Sequence, residues 1–446
     1  MRSLADAVSE NLNAARDQMG VSLGWHIIVA SLGVGFPIVI LIAEWRGVFR
    51  GDAAAMRLAR TWSKTAGVLF AVGAVSGTII SFEMGILWPG LLGTFGSVIG
   101  LPFALEGFAF FIEAIFVGVY LYGWNRLPAK AHFYTGIPIA VAGVLSAFFV
   151  VTANAWMNDP QGFHLVAGKV VDPDPWKAMF NAATPPEAIH LLLASMMVTG
   201  FLVAGVYAYA LARGRRDRYH RLGFAIPFVV AAAMAPAQVV AGDYAARYVA
   251  DRQPVKLAAL EAQEHTEQGA GEHIGGVVIG GQLRFAIVIP HGLALLARGE
   301  PNATIAGLDS VPPADQPPVN VVHVAFDLMV AIGFGLFGLA GWFAWAWWRR
   351  RALPRSRAFL WAAVAAGPAA ALATEAGWVT TEVGRQPWVV YDVLRVDQAV
   401  STAPGLFAGF YVLVAVYAVL TAATVTVLLR LRERAGVPSL ASGIAA

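Results

Sequence analysis

The feature that most constrains this chain is a series of apolar runs too long for the interior of a water-soluble domain. Residues 358–382, AFLWAAVAAGPAAALATEAGWVTTE, are typical, with no basic residue and no acid until Glu375. About 20 such residues in a helix cross roughly 30 Å of hydrocarbon. Nine runs meet this length, at 21–44, 65–87, 98–122, 136–155, 187–212, 222–241, 320–348, 358–382 and 404–429. All 31 Lys and Arg lie outside them. With 58% hydrophobic and 13% charged residues, the chain lacks the charge to cover a soluble surface. The fold class expected is therefore an all-α polytopic membrane protein of nine transmembrane helices.

Basic residues set the expected orientation. Loops 45–64, 123–135, 213–221 and 349–357, with the tail from 430, hold 20 of the 31. Cytoplasmic loops carry the Lys/Arg excess, so the N-terminus is expected outside and the C-terminus in the cytoplasm. Three regions follow: helices 1–6 over 1–241, an outward-facing loop over 242–319, and helices 7–9 with the cytoplasmic tail over 320–446. Within the loop, residues 285–297 (FAIVIPHGLALLA) form a short apolar stretch suited to a re-entrant or interfacial piece. The first 20 residues are too polar for a signal-peptide core, so no cleaved signal is expected.

The net charge of +3 and sequence pI near 9.1 do not indicate nucleic acid, because the basic residues sit in short loops between spans. No cysteine is present. That excludes disulfides, thiolate metal sites and cysteine-held iron–sulfur clusters. A metal would need His, Met or carboxylate ligands, or would arrive inside a cofactor.

Ionisable groups in hydrocarbon are costly and mark function by default. Those within spans are His26, Glu83, Glu106, Glu113, His190, Asp327, Glu375 and Glu382, with Met329 as a soft donor. Glu44 and His323 lie near span ends, where a solvated interfacial role is expected, and His132 falls in a loop with no special role. In the expected orientation His26, His190 and Glu382 lie toward the outer ends of their spans. Met329 sits about 13 Å down from the outer end of span 7, at 1.5 Å per residue. Four potential metal or heme ligands on four helices thus gather in the outer half of the membrane. Glu106–Glu113 and Glu375–Glu382 are each seven residues apart, on one helix face and about 10.5 Å apart along it. Each pair suits proton transfer, and equally suits neutral acids that hold helices together. A proton-coupled transporter that uses these carboxylates without heme remains the alternative at this point.

Several stretches resemble one family: LGWHIIVASLGVGFP (23–37), SFEMGILWPG (81–90), FALEGFAFFIEAIFVGVYLYGW (103–124), ANAWMNDPQGF (153–163), VKLAALEAQE (255–264), HVAFDLMVAIGFG (323–335) and EAGWVTTEVGRQPW (375–388). Together they resemble subunit I of the cytochrome bd-type quinol oxidases, over almost the whole chain. The resemblance implies a quinol:oxygen oxidoreductase of the bacterial inner membrane. It would oxidise ubiquinol or menaquinol outside, reduce O₂ to water with cytoplasmic protons, and build proton motive force without pumping.

Position by position, it implies three hemes. His190 and Met329 match the axial pair of low-spin heme b558. His26 and Glu382 match ligands of the two high-spin hemes, heme b595 and heme d; heme d is placed on His26, with heme b in its stead in some members. Glu106 matches a residue at the heme d pocket, and Glu113 one tied to proton delivery. Ser146 and Asn154 fall where the family lines that proton route, and Arg385 beside the heme propionates. Lys256 and Glu261 match positions implicated in quinol oxidation, although their spacing of five does not put them on one helix face. The loop's length resembles the short-loop branch, which includes cyanide-insensitive types. The expected partners are subunit II, a small accessory subunit and membrane lipids.

Overall fold

The computed structural model describes the backbone of residues 4–434 and the side chains of 10–431. The tail beyond 434, part of the expected cytoplasmic terminus, lies outside the described residues. Nine long helices are present among them: α1 (Leu4–Arg50), α2 (Ala53–Leu87), α3 (Pro89–Gly123), α4 (Ala129–Asn158), α5 (Thr184–Ala212), α6 (Arg218–Arg252), α7 (Val319–Arg350), α8 (Arg357–Val383) and α9 (Leu406–Arg434). Each contains a span long and apolar enough to cross a membrane.

The helices outrun the apolar windows. α1 begins well before residue 21 and α6 continues to Arg252. The expected loop 45–64 is almost entirely helical and shrinks to Gly51 and Asp52. Hydropathy marks the thickness of hydrocarbon, whereas helical hydrogen bonding continues into polar turns. Arg57, Arg60 and Lys64 therefore lie on the first turns of α2. Local capping fixes the new ends. Asp52 accepts from Ala55 N–H at 3.3 Å, Asp217 from His220 N–H at 3.2 Å and Ser356 from Phe359 N–H at 3.3 Å, each satisfying an orphan donor. Asp52 also receives Arg218 at 2.8 Å, tying α2 to α6. That guanidinium holds the Asp52 carboxyl down at about 2.

Helices α1–α4 and α5–α8 form two packed groups joined where α1 meets α5, and α9 lies against α1 and α2. The main core lies toward the arginine-rich side of α5–α8. There Phe201, Phe224, Phe228, Phe343 and Phe359 pack together, several at edge-to-face angles that suit aromatic quadrupoles.

On the opposite side, residues between α6 and α7 build a compact cover. A short helix at Pro254–Leu260 is followed by paired strands Glu272–Ile274 with Ile287–Ile289, Val277–Val278 with Leu283–Arg284, and Glu267–Gln268 with Thr304–Ile305. Residues 285–297 do not form one re-entrant helix. They split into the strand Ile287–Ile289 and the helix Gly292–Arg298, because His291 between them takes φ 60°. Phe285, 88% exposed, leaves an apolar tip on this cover.

Candidate functional site

His26 on α1 is oriented by α2. Its Nδ1 lies 2.8 Å from Ser76 Oγ, while the Ser76 hydroxyl donates to the Gly73 carbonyl at 3.0 Å. A hydroxyl that gives its hydrogen away must accept from the imidazole, so Nδ1 carries the proton and Nε2 keeps its lone pair. That tautomer is the one a metal-ligating histidine needs. Glycine at 77 keeps the space beside the ring, since a Cβ there would lie 3.4 Å from His26 Cε1.

His190, near the start of α5, meets α6. The Gln238 amide nitrogen lies 3.0 Å from His190 Nε2, which marks Nε2 as the unprotonated nitrogen; its one lone pair is open to iron once that amide turns away. The Ala241 carbonyl is within reach of the ring, yet buried Nδ1 has no well-aligned partner. A Cβ at Gly242 would approach the ring to 3.7 Å. Met329 on α7 rests its sulfur against α8, where a Cβ at Gly377 would come within 2.8 Å of Sδ. Two imidazoles with acceptor nitrogens and a thioether, each held against a glycine, fit heme iron as a donor set.

Glu382 ends α8. It accepts hydrogen bonds from Asn154 Nδ2 through Oε1 and from Arg385 Nη2 through Oε2 at 2.5 Å. Each carboxylate oxygen keeps a second lone pair, so neither bond removes it as an iron ligand. Arg385, 3% exposed, therefore holds Glu382 itself.

The same cluster extends to the loop through a residue that sequence reasoning missed. Asn158, four residues after Asn154, donates to Glu187 Oε1 at 2.8 Å and to Asn154 Oδ1 at 3.1 Å. Its Oδ1 accepts Lys256 Nζ at 3.1 Å, Gln253 Nε2 at 3.3 Å and Arg385 Nη1 at 3.4 Å. Asn158, Gln253 and Lys256 are all less than 5% exposed. One amide thus joins α4, α5, the loop and the end of α8. Burial pushes the Lys256 ammonium down to about 8, with Arg385 adding to the shift and Glu187 and Glu382 opposing it.

Glu261 faces a different cluster. It is 4% exposed, and burial raises its carboxyl, with Glu272 and Asp327 pushing the same way. Burial and Asp327 also raise Glu272. Asp327 accepts Gly275 N–H at 2.6 Å, so it faces the cover. His323 is fully buried rather than solvated, with Nδ1 against the Leu260 carbonyl at 2.6 Å. Lys256 and Glu261 accordingly serve separate surroundings, as their spacing suggests.

The acids of α3 behave individually. Glu106 Oε1 lies 3.4 Å from Ser146 Oγ, and Glu113 is 7% exposed beside a cavity. Glu375 lies across from Gly24 of α1, where a Cβ would sit 3.4 Å from its Oε2. Glu44, expected in a solvated position, is fully buried and is bonded to His132 at 2.6 Å. No group of three or more His, Asp or Glu side chains forms a bare-metal site among the described residues.

Comparison with known proteins assigns the ancestry. A family model described as cytochrome bd terminal oxidase subunit I matches residues 14–435. The chain belongs to the cytochrome bd oxidase subunit I family. A putative cytochrome bd menaquinol oxidase subunit I of Bacillus subtilis (strain 168) is 34% identical over 429 residues, covering 94% of this chain and 96% of the relative. Cytochrome bd-II ubiquinol oxidase subunit 1 of Escherichia coli (strain K12) is 26% identical, over 86% of this chain and 88% of that protein. The solved bd oxidase of Geobacillus thermodenitrificans superposes with a TM-score of 0.88 at 36% identity, covering 95% and 98% of the two chains. The family supports the role of a terminal quinol oxidase subunit that works with subunit II, in a multi-pass protein of the bacterial inner membrane.

Proposed function

We propose that this subunit carries the hemes of the oxidase on His190/Met329, His26 and Glu382. In this reading quinol is oxidised at the cover formed by residues 253–318. The arginine-rich side faces the cytoplasm, as the positive-inside rule requires. When bound, the hemes supply electron transfer and the reduction of O₂. The chain's own residues orient them and move protons. Ser76 fixes the His26 tautomer. Arg385 and Asn154 hold the Glu382 carboxylate. Glu261, its carboxyl raised by burial, suits a general base for the quinol hydroxyl. The Lys256 ammonium steadies negative charge on the quinol oxygen. Glu113, Glu106 and Ser146 carry substrate protons from the arginine-rich side toward the hemes along α3 and α4.

The observation that carries this reading is the Asn158 hub. It ties Lys256 of the loop to Arg385 and, through Asn154, to Glu382, so the quinol region and a heme carboxylate share one hydrogen-bonded unit. The experiment is the pH dependence of quinol oxidation. Lys256 is cationic below about 8 and neutral above it, so wild-type activity should fall as pH rises through that value. Arginine stays charged throughout this range. Lys256→Arg should therefore lose the alkaline fall even if its maximal rate is lower. An unchanged alkaline limb in that variant contradicts the role given to Lys256.

A further inference from the structure

The cover carries an apolar patch that the described residues leave bare. Phe285 is 88% and Ile287 68% exposed, and Ile274, directly opposite Ile287 in the strand pair, is exposed as well. Exposed apolar patches mark contacts with protein or membrane. Phe285 also takes φ 65°. That left-handed position favours Gly, Asn or Asp, so an aromatic held there and facing outward points to surroundings other than water.

Hydrogen bonds to α7 fix the depth of the patch. The Asn320 side chain accepts Val278 N–H at 2.7 Å and donates to the Val278 carbonyl at 3.0 Å. Farther down the helix, His323 Nε2 lies 3.1 Å from the Gly275 carbonyl, and Asp327 accepts Gly275 N–H at 2.6 Å. From Asn320 to these two residues is about 4.5 to 10.5 Å along the axis. The hairpin thus descends beside α7. Phe285 follows Arg284, the partner of Val277, and a Cβ on Gly276 would meet the Arg284 carbonyl at 2.7 Å and Ala286 at 2.9 Å. Phe285 therefore lies at the lower level. There α7 already exposes Val321, Val324 and Leu328 within its apolar span. The charge goes the other way: Arg284 reaches back to Gln282 at the turn, 3.0 Å away. Irregular backbone is tolerated at membrane depth where protein satisfies its polar groups. Asn320, His323 and Asp327 do this for Gly275 and Val278.

We propose that residues 274–287 form a wedge set into the membrane leaflet on the cover side, with Phe285 and Ile287 against lipid acyl chains and Arg284 at the headgroups. Lipid is the occupant favoured over a partner protein because the patch shares its level with the exposed apolar side chains of a membrane-spanning helix. The wedge also ties the cover to the membrane near Glu261, since His273 on the same strand donates through Nδ1 to the Glu261 carbonyl at 2.7 Å. It requires only that the chain spans a membrane, so it stands independently of the heme assignments.

The test exploits the absence of cysteine from the chain. Phe285→Cys places a single nitroxide label in this subunit of the whole complex, reconstituted in liposomes, and the unsubstituted complex corrects for thiols elsewhere. Electron paramagnetic resonance then reads collisions of the label with O₂, which concentrates in hydrocarbon, and with a water-soluble nickel chelate. Val324→Cys on α7 gives the lipid reference, and Glu300→Cys, at a charged and exposed position of the cover, the aqueous one. The label at 285 should match Val324→Cys, with frequent O₂ collisions and loss of those with the chelate. Ile287→Cys should behave alike and serves where the first variant fails to assemble. Chelate collisions equal to those in Glu300→Cys overturn the wedge, because the patch then lies in water. Few collisions with either reagent overturn it as well, because protein then covers the patch.

Discussion

Asn158→Leu is expected to be among the most damaging single substitutions in the subunit, costing about 3–5 kcal/mol, the range for uncoupling buried charges. The side chain it removes serves Glu187, Gln253, Lys256 and Arg385 at once. Leucine matches the volume but offers neither donor nor acceptor. Lys256 and Arg385 would remain buried with one fewer acceptor between them, and each unsatisfied buried group adds about 1–3 kcal/mol. The midpoint of thermal unfolding of the purified complex should fall by several degrees, and quinol oxidation should be lost. Asn158→Asp separates the two halves of the hub. It keeps the acceptor for the cations but replaces the amide donor to Glu187 with a second carboxylate, so its loss should be smaller. A leucine variant as stable and active as wild type would show that the hub is incidental.

The second large effect concerns the low-spin heme. His190→Ala and Met329→Leu should each abolish its signal and lower quinol oxidation by more than about a hundredfold, beyond the 10–100-fold typical of outer-shell changes. The helices should survive, because neither side chain anchors the aromatic core of α5–α8. Gln238→Ala is the informative control. Its amide occupies His190 Nε2 and must turn away for iron to bind there, so the substitution should change the signal without removing it. If the low-spin signal persists in both ligand variants, the axial pair is misassigned.

The sequence made the membrane spans legible because hydrocarbon imposes one length on every crossing. It did not show where the helices end, since polar turns such as those bearing Arg57 and Arg60 carry no hydropathy signal. The intramembrane polar residues, His26, His190 and Glu382 among them, stand out for a related reason: they are expensive in lipid wherever they sit, whereas their role as ligands is implied only by the family resemblance. The pairing among polar residues was not legible. Lys256 and Asn158 are 98 residues apart in the chain, and Asn154 and Glu382 are 228 apart. No local pattern encodes either contact. Glu44 reads as solvated because it lies where a hydropathy window tapers, and His132 reads as a loop residue with no special role. In the fold their helix ends converge, 88 residues apart in sequence, and bury each other. Proximity to a span end is a poor guide to exposure once helices continue past the bilayer.

The central claim is that this chain binds hemes through His26, His190, Met329 and Glu382. The most direct measurement is the reduced-minus-oxidised absorbance spectrum of the purified complex, with quinol as reductant. The account predicts heme bands that include a low-spin b component, lost selectively in Met329→Leu. A complex that shows no heme bands would contradict it.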